Sequence, residues 1–532
     1  MRTSTYTALW FASAVLGAYV PSTNSSGPVV KLPYARYEGF HNETTGLDVF
    51  LGIRYAKPPT GNLRWKAPKT PGTSNGILKA ISQPAKCPQL NILSGGNTST
   101  PGVPDPTEDC LFLNVFSPPP SSHKKKLPVL VWVHGGGYFA GFAAAFDPTA
   151  MIKASNDSFV AVIIQYRLGM FGFLAGDKIK KNGDLNAGLL DVQFALKWTQ
   201  QNIHLWGGDP GRVTLWGESA GAGAVLMQVV ANGGKTNPQL FKRSIASSPY
   251  VPPNYRYNDA VPEAQYTQLV NRTGCANSTD TLSCLRGLDY PTLASAAASI
   301  IDPLPRPVVD GKFLRQRPEL SLARKQVNGN PCFTSHNVDE GFIFLTPNPN
   351  STVTSYLQSM LPKLSEQNIT AISNAYKVFS SSSATAEANT FANQVALFGE
   401  GVFVCPSLWL AEAFPKKGHQ GLFAIPPSYH SEDLGVYFPG TSAAEPAQPF
   451  TESVTQSFMG ALVSFILTGS PNNNRLNKTI NPHWNTYNSK SPQGMTFNIT
   501  SDGTADPKYE AVNSGILERC KLWRSLAPYT PQ

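Results

Sequence analysis

The sequence predicts an α/β fold with a large central, mostly parallel sheet flanked by helices, and three observations carry that prediction. Residues 127–133, 159–165 and 213–216 are short apolar runs without alternation, the pattern of strands buried on both faces. Between the last two, Leu189, Val192, Ala195 and Leu196 recur at helical spacing within 188–202. A small-residue run, 220–224, opens a second helix directly after the third strand. Parallel neighbours need a crossover, so strand, helix, strand, helix is how a doubly wound sheet is built. Residues 422–425 and the stretch 331–338 before Glu340 read as later strands. No repeat or linker divides the 532 residues, and one large domain over 19–532 is expected.

The first residues read as an export signal. Arg2 supplies positive charge, residues 8–20 are apolar but too short to span a bilayer, and Gly17 and Ala18 offer a cleavage site, giving a signal over 1–18. No later segment is expected to hold the uninterrupted apolar length of a membrane helix. Asn24, Asn42, Asn97, Asn156, Asn271, Asn277, Asn350, Asn368, Asn477 and Asn498 each begin a glycosylation sequon, which agrees with a secreted, extracellular protein. The net charge is +9, yet the basic residues form no stripe with interleaved aromatics. The densest run, Lys124-Lys125-Lys126, reads as solvated surface, and no nucleic-acid partner is implied.

Seven cysteines in an exported chain predict disulfides with one left over. Cys275 and Cys284 bracket a short polar loop, and Cys87 and Cys110 bracket a longer one. Spacing alone does not pair Cys332, Cys405 and Cys520. No cysteine has a partner at metal-ligand spacing, so neither a metal nor an organic cofactor is expected.

Nucleophilic chemistry enters at Gly217-Glu218-Ser219-Ala220-Gly221. Gly-x-Ser-x-Gly places a serine on a tight strand-to-helix turn whose crowding requires the glycines. Gly72-Thr73-Ser74-Asn75-Gly76 matches the same pattern. Ser74 follows Pro71 with no strand before it, whereas Ser219 follows the run 213–216, so Ser219 is the candidate nucleophile. After the strand 127–133 comes His134-Gly135-Gly136-Gly137-Tyr138, where consecutive glycines let N–H groups converge on a negative oxygen. Gly136, Gly137 and Ala220 are the candidate donors.

In chain order such a site runs serine, acid, histidine. His419, His430 and His483 lie downstream. His419 reads as part of a solvated turn after Lys416-Lys417 and His483 as a packing residue, while His430 follows a short strand and a Pro-Pro turn. Asp310, Asp339 and Glu340 are all candidate acids, with Glu340 best placed after its strand.

These residues sit among longer runs that resemble the type-B carboxylesterases, the family of the cholinesterases and one group of fungal lipases. The runs are Phe50-Leu51-Gly52-Ile53-Arg54-Tyr55-Ala56-Lys57-Pro58-Pro59 with Leu63-Arg64-Trp65, then Glu108-Asp109-Cys110-Leu111-Phe112-Leu113-Asn114, then Asn186-Ala187-Gly188-Leu189-Leu190-Asp191 and Gly207-Gly208-Asp209-Pro210. The resemblance spans nearly the whole mature chain and implies an α/β-hydrolase fold. It implies Glu340, in Asp339-Glu340-Gly341, as the acid and His430, before Ser431, as the base. It also implies bridges Cys87–Cys110, Cys275–Cys284 and Cys405–Cys520, leaves Cys332 free, and sets Ser248 and Asp433 in a polar shell near the base.

The implied function is a serine carboxylic ester hydrolase acting on small-molecule esters. Cholinesterases carry a Trp between the first two cysteines for a quaternary ammonium; residues 88–109 here hold none, so choline esters are poor candidates. Leu90, Ile92 and Leu93 are too small a cluster for a convincing amphipathic lid. A soluble-ester carboxylesterase is therefore expected ahead of an interfacial lipase or sterol esterase. The intact Ser219, Glu340, His430 and glycine triplet argue against a non-catalytic adhesion relative.

Overall fold

Residues 27–90, 100–300, 304–440, 450–472 and 481–527 are described by a computed structural model. Its central sheet has eleven strands: β1 (Phe40–Asn42), β2 (Leu47–Arg54), β3 (Phe112–Ser117), β4 (Leu127–Val133), β5 (Val160–Ile164), β6 (Gly208–Glu218), β7 (Arg243–Ser247), β8 (Cys332–Asn337), β9 (Gly418–Phe423), β10 (Gln493–Phe497) and β11 (Lys508–Ala511). Across the sheet the order is β11-β10-β9-β8-β7-β6-β4-β5-β3-β2-β1. Neighbours from β10 through β5 are parallel; the pairs at either end are antiparallel.

The three strands read from apolar runs are β4, β5 and β6, and the helix between the last two is α1 (Ala187–Asn202). Alternate residues of β4 explain the unbroken run. Val129, Val131 and Val133 pack into one core with α1, whereas Leu130 and Trp132 pack into a second core on the opposite face. Trp132 is fully buried against Phe438, Phe146 and Trp216, at ring-centroid distances of 4.6, 5.1 and 5.3 Å. Truncating such a side chain costs about 3–5 kcal/mol.

Two of the runs near the amino end grip each other. Arg64 is forked onto Glu108 through two bonds of 2.6 Å, and Arg54 onto Asp109 through bonds of 2.5 and 2.8 Å. Arg167 and Asp191 make a third, deeply buried fork, with both bonds at 2.7 Å. Paired geometry of this kind is what lets these charges be buried.

Two expectations fail. Strand β9 begins four residues earlier than the apolar run, at Gly418, so His419 is a buried strand residue between Phe465 and Trp484 and not part of a solvated turn. Burial pushes its imidazole down to about 4, so it is neutral. The continuous helix Ala386–Glu412 is long and apolar enough to cross a membrane, contrary to the sequence reading. It is a core helix: 89% of its most apolar window is buried within the protein. It consists of α3 (Ala386–Gly399), a π-helical turn at Glu400–Val404, and α4 (Cys405–Glu412).

Candidate active site

Because β5 lies on one side of β4 and β6 on the other, the chain reverses direction across the sheet there, which opens a crevice at the carboxyl ends of β4 and β6. Val133 of β4 pairs with Gly217 of β6, so the segments 134–138 and 217–221 emerge side by side. Ser219 stands between β6 and α2 (Ala220–Gly234) with φ 55° and ψ −126°, a conformation that a non-glycine residue holds only when its surroundings force it. They do. Its N–H donates to Ser247 O at 3.0 Å, and its carbonyl accepts from Gly223 at 2.8 Å and Tyr250 at 3.0 Å. A Cβ on Gly221 would stand 2.1 Å from Val133 O, and one on Gly217 2.5 Å from Gly221 C. The motif's glycines are thus dictated by strand–helix contact.

The glycine run lies directly on this turn. A Cβ on Gly135 would meet Glu218 Oε2 at 2.8 Å and Ser219 Cβ at 3.0 Å. Gly136 and Gly137 have φ of +100° and +61°, and Tyr138 continues at 67°. Among the described residues, the N–H groups of Gly136, Gly137 and Ala220 donate to nothing within the protein. Three unspent donors on adjoining turns are what an oxyanion requires. His134 supports the loop without titrating: it stacks on Tyr166, its Nδ1 lies 2.9 Å from Gly135 O, and burial lowers it to about 4.

Glu340 and His430 come from the ends of β8 and β9, which run parallel. A bridge between Asp339 and Tyr429 extends that pairing past the strands and sets the next residues of each segment beside one another. His430 Nδ1 lies 2.5 Å from Glu340 Oε2. The other carboxylate oxygen accepts from Ser248 Oγ and from Asn337 N–H, each at 2.6 Å. Burial alone would raise Glu340, but the His430 charge and these hydrogen bonds outweigh it and hold the carboxyl below its usual range. Burial would lower His430, but Glu340, then Glu218, and the Glu340 bond carry it above 6.5.

The Nε2 of His430 has no hydrogen-bond partner among the described residues, Ser219 Oγ included. Glu218 Oε1 is 3.3 Å away, close enough for ion pairing but misaligned for a hydrogen bond. That oxygen instead accepts from Ser431 Oγ at 2.6 Å. Burial raises Glu218 to about 8, against the opposing pull of His430. Asp433 is raised to about 6, again by burial first, and accepts from Tyr437 OH at 2.5 Å and Asn337 Nδ2 at 3.3 Å. Ser248 therefore touches Glu340 directly, and Asp433 adjoins it through Asn337.

Sequence reasoning passed over Glu218, Asn337, Ser431 and Tyr437. Only Glu218 carried a signal, being a carboxylate beside the nucleophile. It also missed an aromatic wall: Phe403 and Phe344 lie 4.4 and 5.0 Å from the His430 ring, centroid to centroid. Phe403 belongs to the π-helical turn, a device that re-aims side chains near sites.

The other candidates lie apart. Ser74 is exposed in a loop, its N–H bonded to Tyr34 O. His483 is exposed, and it is Trp484 that packs. Asp310 is tied to Asn186 Nδ2 at 2.7 Å, and Asp339 is held by backbone pairing to Ser428. The bridges Cys87–Cys110, Cys275–Cys284 and Cys405–Cys520 are formed, and Cys332 is free and buried. Among the described residues no three His, Cys, Asp or Glu side chains are grouped to hold a metal. Asn42, Asn156, Asn271, Asn277, Asn350, Asn368 and Asn498 are none of them buried. Asn24, Asn97, Asn477, the signal segment, and Ile92 and Leu93 of the small apolar cluster after Cys87 lie outside the described residues.

The chain is similar to known proteins along most of its length. A secreted triacylglycerol lipase of Gibberella zeae is 37% identical over 62% of this chain and 62% of its own length. A secreted lipase of Botryotinia fuckeliana is 35% identical over 58% and 59%. The aligned part of the chain thus spans about three fifths of these relatives. The para-nitrobenzyl esterase of Bacillus subtilis is 28% identical over 91% of this chain and 97% of its own. The crystal structure of Aspergillus niger EstA superposes with a TM-score of 0.85 at 31% identity, covering 95% of this chain and 99% of that one. The fold is that of the α/β-hydrolase carboxylesterases, with a mostly parallel central sheet flanked by helices. With a family model matching residues 26–514, the chain belongs to the carboxylesterase family.

Proposed function

We propose that this protein hydrolyses carboxylic esters through an acyl-enzyme formed on Ser219. The observation that carries the reading is the forced backbone of Ser219 beside three unspent N–H donors, with the Glu340–His430 pair on the adjoining strand ends. In this mechanism His430 takes the Ser219 proton as the hydroxyl attacks the ester carbonyl, and Glu340 fixes the imidazole and balances the imidazolium. The N–H groups of Gly136, Gly137 and Ala220 hold the oxyanion. His430 then protonates the leaving alcohol, water repeats the attack, and the acid departs. Apart from the attacking water, the residues named here supply each step.

A Ser219→Ala variant should lose hydrolysis of a chromogenic short-chain ester while keeping its thermal unfolding temperature; retained hydrolysis would refute the assignment. We further read residues 1–18 as a removed signal, 19–532 as one catalytic domain, the protein as secreted, and the sequon asparagines as glycan sites. The secreted relatives and three disulfides support export.

An interfacial lipase is the alternative, favoured by the exposed Val338, Phe342 and Phe344 beside Glu340. A rate that jumps above the solubility limit of a triglyceride would decide for it; a rate that saturates below that limit decides for the soluble-ester reading.

A further inference from the structure

We propose that the amino-terminal edge of the central sheet, opposite the candidate active site, is a docking face for an acidic polysaccharide. The basic residues look scattered in the sequence, but the topology gathers them. Lys124, Lys125 and Lys126 directly precede β4, Lys242 precedes β7, and Lys416 and Lys417 precede β9. In the sheet these strands belong to the consecutive series β4-β6-β7-β8-β9.

Backbone contacts stitch the segments into one row. Arg212 of β6 donates to Lys126 O, and Lys242 N–H donates to Val213 O at 2.7 Å. Asn330 N–H donates to Lys242 O at 2.8 Å, and Cys332 N–H to Lys417 O at 3.2 Å. Four inter-strand steps separate Lys126 from Lys417, roughly 19 Å at the usual strand spacing. All six lysines are exposed, and among the described residues none is within ion-pair distance of a carboxylate. The nearby acids are already matched: Asp209 by Arg212 at 2.8 Å and Glu412 by Arg524 at 2.7 Å. Asp209 also feels the charge of Lys126, but one carboxylate faces two cations there, so the row is a linear surface of net positive charge.

The kind of partner follows from what accompanies the charge. Among the described residues, none of the exposed large apolar side chains belongs to the segments that open β4, β6, β7, β8 or β9. A membrane surface calls for apolar anchors beside the cations, and single-stranded nucleic acid for aromatic stacking platforms. Lysines alone, as hydrated point charges along a line, suit an extended polymer with a carboxylate on each repeat. Docking there leaves the carboxyl edge, and Ser219, open to dissolved ester.

The test is binding of the full-length protein to immobilised polygalacturonate at about 0.15 M salt. Amylose, vesicles of phosphatidylcholine with phosphatidylglycerol, and duplex DNA run alongside. Two variants of equal net charge are compared: Lys126→Glu/Lys242→Glu/Lys416→Glu/Lys417→Glu, and Lys57→Glu/Lys178→Glu/Lys181→Glu/Lys377→Glu away from the row. A Lys→Gln series at the same four edge positions repeats the measurement with a milder change. Salt-sensitive binding to polygalacturonate, weakened at least about tenfold by the edge substitutions and much less by the distant ones, is the expected result. Equal weakening by both sets, no binding at that salt, or tighter binding to vesicles or DNA would overturn it. Hydrolysis of a soluble ester should be the same in every variant, which separates loss of docking from loss of the enzyme.

Discussion

Glu218 Oε1 lies 3.3 Å from His430 Nε2, on the side of the imidazole opposite Glu340. The ring is thus flanked by two buried carboxylates, one hydrogen-bonded and one only near. Burial raises Glu218 and the two carboxylates raise His430, so these groups titrate together. A general base works only when neutral, so kcat/KM should fall on the acid side with a midpoint above 6.5, the ordinary histidine value. Below about 8 Glu218 is itself largely protonated, but its ionised fraction favours the imidazolium, and Glu218→Gln removes that fraction. Its acid limb should therefore move to lower pH, read from kcat/KM against pH on a soluble ester. A limb that stays or moves up would show that Glu218 does not act on His430.

Glu340→Gln should lower kcat by about 10³- to 10⁴-fold, since the amide cannot balance an imidazolium. Ser248→Ala removes only one of the donors to Oε1 and should cost about ten- to a hundredfold, from ~1.5–3 kcal/mol for a charged hydrogen bond. A Ser248→Ala loss equal to that of Glu340→Gln would contradict this ranking.

The same pair makes a stability prediction. Glu340 is depressed in the fold, so its contribution is present above 4.5 and is lost as pH falls through the folded value. His430 is raised, so its contribution is present below 6.5 and is lost as pH rises through the folded value. The gap in Tm between the parent and Glu340→Gln should thus be widest between pH 4.5 and 6.5. A gap independent of pH would show the pair is not ionised.

Gly136→Ala forces φ +100° on an L side chain and drives its Cβ to 2.2 Å from Ala140 O. The donor loop must shift, and kcat should fall by about 10²- to 10³-fold with little change in KM. An equal loss spread into KM would mean that the loop binds the ground state as well.

Burial pushes the Cys332 thiol up to about 12, so the folded protein should show no thiol to a disulfide reagent and one after denaturation. Removing Cys405–Cys520, which closes 115 residues, should cost about 2–5 kcal/mol in unfolding free energy.

What was legible in the sequence was whatever local crowding or burial writes into a short run. β4 and β5 are buried on both faces and so are unbroken apolar segments. The Ser219 turn needs its glycines because Val133 O is in the way. β9 was misplaced because its start, His419-Gln420, is polar yet buried, packed against residues far along the chain: Trp484 Nε1 donates to Gln420 O. The helix Ala386–Glu412 carries Glu400 in its interior, and that charge is tolerated because Arg519, far along the chain, neutralises it with bonds of 2.6 and 2.7 Å. The Glu218–His430 approach joins positions 212 residues apart in sequence. No spacing rule encodes it, only the sheet order does.

The central claim is that Ser219 is acylated. The most direct measurement is peptide mass spectrometry after brief reaction with a fluorophosphonate and, separately, with a p-nitrophenyl ester quenched in acid. The account predicts one adduct per chain, on the peptide carrying Ser219, and none in Ser219→Ala. An adduct on another residue, or rapid ester turnover with Ser219 unmodified by either reagent, would contradict it.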